Sequence, residues 1–310
     1  MAAYQQLYQI GELGNRIEKA RSLLNECRLC PRHCGVNRLA GETGECRTAD
    51  KAIVSSFGSH FGEEAPLVGR HGSGTIFFTC CNLHCVYCQN YGISQLGEGS
   101  PVTADELAGM MLSLQANGCH NINLVSPTHV VPFVLEALEI AVGKGLHLPI
   151  VYNTGGYDSV ETLKLLDGIV DIYMPDMKYS DEKIGEKLSG VKRYPQTNRA
   201  AVKEMHRQVG DLQIDQSGVA TRGLLVRHLV LPGALAGTEA VVRFLAQEIS
   251  TNTYLNVMAQ YRPCYHASDY SQLSRPINKQ EFSEAIELAQ QYGLNRLDER
   301  VSSPIKFIFW

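Results

Sequence analysis

The sequence predicts an α/β fold, a partial (β/α)6 TIM-like barrel preceded by an N-terminal helix and a cysteine-rich segment. Two observations predict it. From Gly74 onward, six short apolar runs alternate with helical stretches that carry their own start signals. The runs are apolar almost throughout, which is typical of parallel strands covered on both faces. An open doubly wound sheet satisfies the same order, and either arrangement places functional groups at the C-terminal ends of the strands.

The elements of the barrel follow from these runs and from helix caps. We place strands at 75–78, 122–125, 150–152, 169–174, 224–231 and 254–258, and helices near 104–117, 130–143, 159–167, 196–209, 239–250 and 279–292. Two helices begin with capping boxes, Thr103 with Glu106 and Asn278 with Glu281. Asp158 with Glu161 indicates a weaker cap at a third helix.

The N-terminal part has a different pattern. Apolar residues at helical spacing predict one amphipathic helix over residues 9–26, with a buried face of Ile10, Leu13, Ile17, Ala20 and Leu24. Residues 51–73 indicate loops and short strands. We therefore predict an appendage over residues 1–73 and the barrel with its C-terminal helix over residues 74–310.

Composition excludes several classes of protein. The chain has 310 residues, 44% of them hydrophobic, and a net charge of −4 from 28 basic and 32 acidic residues. It is too apolar for disorder and lacks the basic excess of nucleic-acid binders, so nucleic acid is not an expected partner. No run is long enough to span a membrane, and the N-terminus has no signal-peptide core. We therefore expect a cytoplasmic protein with no membrane partner.

The cysteines are concentrated in one part of the chain. Of ten cysteines, eight lie between Cys27 and Cys88. A chain of this length buries a core without disulfides. In a reducing compartment, clustered cysteines indicate metal ligands or redox catalysts.

Three of these cysteines follow the first barrel strand. Cys81, Cys85 and Cys88 have the spacing C-x3-C-x2-C. Three thiolates in so short a loop can hold three irons of a cubane cluster, and the fourth iron is then open to a substrate. The alternative is a zinc loop completed by Cys80 or His84.

This segment resembles the radical S-adenosylmethionine (radical SAM) superfamily. Its hallmark is this triplet after the first strand of a partial barrel, with an aromatic residue before the third cysteine, here Tyr87. The string Cys-Asn-Leu-His-Cys-Val-Tyr-Cys-Gln-Asn resembles the pyruvate formate-lyase activating enzymes in particular. The resemblance implies a [4Fe–4S] cluster on Cys81, Cys85 and Cys88 that chelates S-adenosyl-L-methionine (SAM). One electron from a low-potential donor then cleaves SAM, and the 5′-deoxyadenosyl radical abstracts hydrogen from the substrate.

The resemblance extends over about residues 75–258 and implies SAM contacts at later strand ends. Besides Tyr87, the implied cofactor-binding residues are Ser126, Thr128, Asn153, Asp176, Lys178 and Arg227. Ser126 and Thr128 stand where the family usually has Gly-Gly-Glu. The neighbouring His129 either joins them or caps the next helix.

Two of these strand ends carry charged residues. Asp176 and Lys178 are two apart and point the same way. The resemblance to activating enzymes, in which a matching Asp-x-Lys contacts SAM, implies that Asp176 binds the ammonium and Lys178 the carboxylate, whereas a surface ion pair is the alternative. Arg227 suits a carboxylate or ribose. The glycine pair Gly155–Gly156 after Asn153 lets backbone approach a ligand or simply forms a turn.

A second group of cysteines forms a metal-binding segment before the barrel. Cys27, Cys30, Cys34 and Cys46 supply four thiolates, enough to close a site for zinc or for a second Fe–S cluster, and His33 is a spare ligand. The string around them resembles a subgroup of activating-enzyme relatives. Cys119 and Cys264 are predicted to be small buried hydrophobes.

The predicted function is that of a radical SAM oxidoreductase. The resemblance favours a glycyl residue of a partner protein as the substrate, with another peptide, an RNA or a small molecule as alternatives. A hypothesis of another class is a non-catalytic Fe–S or zinc metalloprotein.

Overall fold

The computed structural model describes residues 2–298. The chain begins with two helices, α1 (Tyr4–Gln9) and α2 (Glu12–Ser22), where one helix was predicted. Gly11, at φ 74°, separates them, because this left-handed conformation costs glycine little and ends the first helix. The predicted face is consequently wrong at Ile10, which is 69% exposed, whereas Leu13, Ala20 and Leu24 are buried as predicted.

One sheet contains nine strands. In chain order they are β1 (Ala52–His60), β2 (Ser73–Phe78), β3 (Ser100–Val102), β4 (Ile122–Val125), β5 (Ile150–Thr154), β6 (Ile172–Pro175), β7 (Gln213–Ile214), β8 (Ala220–Leu229) and β9 (Tyr254–Met258). Strands β2, β4, β5, β6, β8 and β9 are parallel neighbours in that order. Antiparallel β1 and β3 extend the sheet beyond β2, and β7 pairs with β8. The six predicted parallel strands and the partial-barrel fold class are confirmed.

Helices connect the strands, and several of the longer ones pack against the sheet. They are α3 (Ala65–Val68), α4 (Tyr91–Ser94), α5 (Ala104–Ala116), α6 (Val131–Gly143), α7 (Val160–Leu165), α8 (Glu182–Ser189), α9 (Tyr194–Val209), α10 (Thr238–Phe244) and α11 (Lys279–Gln291), with a π-helical turn at Leu245–Ile249. The capping boxes at Thr103 and Asn278 are both present. No helix within residues 2–298 combines the length and the apolar character needed to cross a membrane.

Two cap predictions are wrong. Asp158 does not cap α7, whose N-cap is Ser159, because its buried carboxylate instead accepts hydrogen bonds from Thr128 and Tyr152. His129 does not cap α6 either. Its Nε2 lies 2.9 Å from the carbonyl oxygen of Thr79, which places its ring in the interior.

The prediction of loops and short strands over residues 51–73 is also incorrect. Strand β1 has nine residues and pairs with β2 from Val54 to His60, and its three serines and one glycine conceal it in the sequence. The boundary suggested at residues 73 and 74 falls at the start of β2. The core is continuous across it, since Leu13 and Leu24 belong to the same cluster as Leu124 and Leu138. Of the suggested barrel domain, residues 299–310 lie outside the described residues.

Asp171 connects the N-terminal helices to the base of the barrel. It precedes β6, and its carboxylate accepts hydrogen bonds from the backbone N–H groups of Ala3 and Ile150, each at 2.9 Å. Burial, which outweighs these bonds, raises the pKa of Asp171 to about 6. The charged form is therefore disfavoured in the fold.

This raised pKa predicts a pH-dependent contribution to stability. Because the folded pKa of Asp171 exceeds its ordinary value, the folded state binds more protons between the two values, and stability falls as the pH rises through the folded pKa. Between about pH 5 and about pH 8 we expect the free energy of unfolding to lose about 1 kcal/mol from this group. Denaturant titrations at both pH values should show this loss in the wild type and not in Asp171→Asn. An identical pH dependence in both proteins contradicts the prediction.

Candidate cofactor site at the strand ends

The cysteine triplet lies in the loop that follows β2. Burial, helped by the neighbouring thiols Cys85 and Cys88, raises the pKa of Cys81 to about 12, while Lys178 opposes the effect. The three cysteines belong to one packed cluster of side chains. Leu83 of the cysteine loop and Lys178 both lie within 4 Å of the position that a Cβ would take at Gly155. No three Cys, His, Asp or Glu side chains of residues 2–298 converge as ligands of a single metal ion. A cubane cluster does not require such convergence, because each thiolate binds a different iron.

Each thiol of the triplet has a hydrogen-bonding group beside it. The hydroxyl of Ser189 lies 3.0 Å from the sulfur of Cys85, and that of Ser94 lies 3.1 Å from the sulfur of Cys88. The backbone N–H of Leu83 donates to Cys81 at 3.4 Å. Such donors stabilise thiolates and tune the potential of a cluster that they hold.

A chain of buried hydroxyls ends on one of these sulfurs. Tyr87 is 2.6 Å from Tyr179, and Tyr179 is 2.7 Å from Ser189, measured between hydroxyl oxygens. A thiolate at Cys85 only accepts hydrogen bonds, so Ser189 must donate to it, Tyr179 to Ser189 and Tyr87 to Tyr179. The hydroxyl of Tyr87 is thus engaged within the protein, which leaves its ring for any contact with SAM.

The direction of this chain predicts an effect of Ser189 on redox potential. Replacing it with alanine removes one donor, worth about 1 kcal/mol, from the sulfur of Cys85, so the potential of the cluster should fall by roughly 40 mV. Electrochemical titration of the reconstituted protein measures this shift. Ser274→Ala, whose hydroxyl donates to the carbonyl of Ser271, is the control. An unchanged or raised potential in Ser189→Ala contradicts the assigned direction.

Four of the predicted residues come together where β5, β6 and β8 end. Lys178 donates to Asp176 at 2.5 Å, and Arg227 donates from Nε to Asp176 at 2.8 Å. Arg227 also donates from Nη2 to the side-chain oxygen of Asn153 at 2.7 Å. Residues paired across a parallel sheet point to the same side, and Asp176 is paired with Arg227. These side chains therefore form one polar group inside the barrel.

The charges in this group stabilise one another. Burial opposes ionisation of Asp176, but Arg227 and Lys178 outweigh it and lower the pKa of the carboxyl. Burial likewise opposes the charge on Lys178, and Asp176 overcomes it and raises the pKa of the amine. All three groups are therefore charged at neutral pH. The alternative of a surface ion pair is wrong, because the side chains of Asp176 and Lys178 are only 14% and 15% exposed.

Sequence reasoning missed Glu64, a fourth charged member of this group. Its Oε1 lies 4.0 Å from Nε of Arg227 and accepts a hydrogen bond from Asn256. Its Oε2 is buried and has no hydrogen-bond partner among the described residues. The residue lies just before α3 in a stretch without hydrophobic periodicity, so no sequence signal pointed to it.

Ser126 and Thr128, in the segment after β4, lie in two different environments. Ser126 has φ 58°, a left-handed conformation that favours glycine, and its N–H donates to the carbonyl of Asn153 at 2.8 Å. The backbone at Ser126 thus adopts a glycine-like conformation beside Asn153. Thr128 instead binds Asp158 at 2.7 Å and Thr154 at 3.1 Å. Since Thr154 and Asn153 are consecutive in β5 and face opposite sides, the structure does not bring the hydroxyl of Thr128 to the polar group.

The glycine pair after β5 is closely packed against protein. A Cβ at Gly155 would lie 2.6 Å from the side chain of Leu83 in the cysteine loop. A Cβ at Gly156 would lie 2.2 Å from the carbonyl oxygen of Asp176. The pair therefore allows the cysteine loop and β6 to approach the end of β5.

Comparison with known proteins agrees with this geometry. The model of the radical SAM superfamily matches residues 75–245, more than half of the chain. The chain belongs to the radical SAM superfamily. A relative from Methanocaldococcus jannaschii, described as uncharacterized, is 33% identical over 290 residues, which cover 90% of this chain and 79% of the relative.

The fold is also similar to that of a solved radical SAM protein. A radical SAM methyltransferase from Sphaerobacter thermophilus superposes with a TM-score of 0.51 at 16% identity, over 74% of this chain and 67% of that one. Membership of the radical SAM superfamily implies an enzyme that uses a [4Fe–4S] cluster and SAM. The residues present fit both groups, because three adjacent thiols with nearby donors adjoin a buried group that carries both positive and negative charges.

Proposed function

We propose that this radical SAM protein activates a partner protein by abstracting hydrogen from a glycyl residue. The observation that carries SAM cleavage is the group of Asp176, Lys178 and Arg227 beside the cysteine triplet. The glycyl substrate rests on the resemblance of residues 81–90 to the pyruvate formate-lyase activating enzymes. When bound, the cluster and SAM supply a one-electron cleavage that yields a 5′-deoxyadenosyl radical. The chain binds and orients the two cofactors and excludes water.

The charges of the polar group match the amino-acid end of SAM. Asp176 suits the ammonium of SAM, and Lys178 with Arg227 suits its carboxylate. At present Asp176 is paired with Lys178 at 2.5 Å. When the zwitterionic amino-acid end of SAM binds between these two side chains, its ammonium pairs with Asp176 and its carboxylate pairs with Lys178. Binding therefore leaves no buried charge unpaired. Asn153 holds Arg227 in place through its 2.7 Å hydrogen bond.

Exposed apolar side chains near the cysteine loop support a protein substrate. Tyr91, three residues after Cys88, is 41% exposed and stacks on the exposed Tyr265 with ring centroids 5.2 Å apart. Leu96 in the same segment is 58% exposed. Exposed aromatic and apolar groups of this kind are typical of protein contacts. The net charge of −4 gives no support to RNA as the substrate.

The compartment that we propose is the cytoplasm. A low-potential cluster with an iron open to SAM requires reducing conditions, and a low-potential electron donor must be present as a partner.

Two measurements test the two parts of this proposal. The protein is purified and reconstituted without oxygen, then given dithionite and SAM. We expect 5′-deoxyadenosine, and its absence from a fully loaded protein would falsify SAM cleavage. For the second measurement, the enzyme is purified together with its bound partner protein from cells grown on α-deuterated glycine. Deuterium in the 5′-deoxyadenosine supports glycyl activation, whereas unlabelled product rejects that substrate and leaves SAM cleavage standing.

A further inference from the structure

The segment from Cys27 to Cys46 surrounds a small cavity. All four cysteines of the segment line it. Its only regular element is a single 3-10 turn, Arg38–Ala40. A segment with so little secondary structure requires another source of order, and four thiols around one cavity suit a bound metal centre.

The strongest observation is a buried arginine on the cavity wall. Arg38 is fully buried; it donates from Nε to the carbonyl of Ala49 at 3.0 Å and from Nη1 to that of His129 at 2.8 Å. Its Nη2 has no partner, and no carboxylate within residues 2–298 forms an ion pair with it. A buried charge without a counter-charge is costly. A negatively charged group bound in the cavity beside Arg38 would offset this cost.

Two more unpartnered polar groups belong to residues that line the same cavity. Nη2 of Arg32 and Nδ1 of His129 are buried without a hydrogen-bond partner among the described residues. His129 is only 1% exposed. Four thiolates around a divalent metal or a cubane cluster carry net negative charge and accept hydrogen bonds at sulfur. Such a centre satisfies the charge of Arg38 and the free N–H groups of Arg32 and Arg38. Nδ1 of His129 is not among these donors, because Nε2 carries the proton and donates it to the carbonyl of Thr79.

We propose that Cys27, Cys30, Cys34 and Cys46 hold a second iron–sulfur cluster, saturated by protein ligands, with Arg38 as its buried counter-charge. A zinc ion requires all four sulfurs at about 2.3 Å from one point, and residues 2–298 contain no such convergence. A cluster requires one thiolate at each iron, and its sulfides provide further acceptors for the unpartnered N–H groups of Arg32 and Arg38. Gly44 leaves space beside the site, because a Cβ there would lie 2.7 Å from the sulfur of Cys34.

The second centre lies directly against the loop that carries the first. Asn82, the neighbour of Cys81, lines the cavity. Its carbonyl accepts a hydrogen bond from Nε of Arg32 at 2.8 Å, and its side chain donates to the carbonyl of Tyr157 at 2.8 Å. The proposal does not depend on the substrate of the radical, since it concerns metal content alone.

Metal analysis of matched variants tests the proposal. In the full chain with Cys81, Cys85 and Cys88 all replaced by alanine, reconstitution without oxygen should leave about four iron and four sulfide per chain. Stoichiometric zinc, or no metal, overturns it. Should that variant not fold, the wild type is compared with a variant in which Cys27, Cys30, Cys34 and Cys46 are all replaced by alanine, and we expect about eight and about four iron per chain. Equal iron in both proteins overturns the proposal.

The role of Arg38 has a separate readout. Arg38→Met removes a buried positive charge, so the second cluster should become harder to reduce and its potential should become more negative. Arg38→Lys should restore part of the shift. Arg28→Met, at an exposed arginine of the same segment, should leave the potential unchanged. An equal potential in wild type and Arg38→Met overturns the assignment of the counter-charge.

Discussion

Replacing Cys81, Cys85 or Cys88 singly with alanine should reduce the yield of 5′-deoxyadenosine by at least about a thousandfold, to the level without enzyme. Each thiolate is proposed to hold one iron, and the loss of any one leaves a second iron without a protein ligand. Product is measured by mass spectrometry after anaerobic reconstitution with dithionite and SAM. The large effect is expected because the proposed SAM site of Asp176, Lys178 and Arg227 adjoins this triplet, whereas the second centre is saturated by its own protein ligands.

Controls for this prediction come from neighbouring residues. Cys119 is buried next to Ser59, away from the strand ends, so Cys119→Ala should retain activity. The ring of His84 lies 3.2 Å from both Gln95 and Glu45, and His84→Ala should retain iron. Full activity in one of the triplet variants contradicts the proposed ligand set. Zinc bound to the wild type and lost in His84→Ala would support the zinc-loop alternative.

Replacing Asp176 with asparagine should destabilise the protein by about 3–5 kcal/mol, because Lys178 and Arg227 would then be buried without their shared counter-charge. Denaturant unfolding of the reconstituted protein measures the loss. Asp105→Asn is a matched control, since Asp105 forms an exposed ion pair with Lys144 at 3.4 Å, and it should cost less than about 1 kcal/mol. Equal losses in the two variants contradict this account.

The lowered pKa of Asp176 adds a pH dependence to the same prediction. A carboxyl whose folded pKa lies below its ordinary value contributes stability above that ordinary value, and this contribution is lost as the pH falls through the folded pKa. The difference between wild type and Asp176→Asn should therefore be constant near neutral pH and shrink in acid. The opposite trend contradicts the charge assignment at Asp176.

The positions of the parallel strands could be predicted from the sequence, because strands covered on both faces are apolar along their length. The proximity of Asp176, Lys178 and Arg227 could be predicted because the ends of parallel strands meet at one edge of the sheet. Asp158 was misassigned as a cap because its partners are Thr128, in the loop after β4, and Tyr152, in β5. Sequence spacing does not show which of two hydrogen-bonding roles a carboxylate adopts.

Other parts of the site could not be predicted for the same reason. Glu64 reaches Arg227 from 163 positions away, and Ser189 reaches Cys85 across 104 positions. Neither residue stands in a recognisable motif. Contacts of this kind depend on the tertiary fold, whereas the cysteine spacings are local and were visible from the start.

The hydrogen bond between Ala3 and Asp171 has a practical consequence. It fixes the start of the described chain at the end of the barrel where the parallel strands begin, whereas the cysteine loop and the polar group lie where they end. An affinity tag joined ahead of residue 2 would thus extend from the end of the barrel where the parallel strands begin. Protein immobilised in this way should present Tyr91 and Tyr265 to solution, which suits the capture of a binding partner.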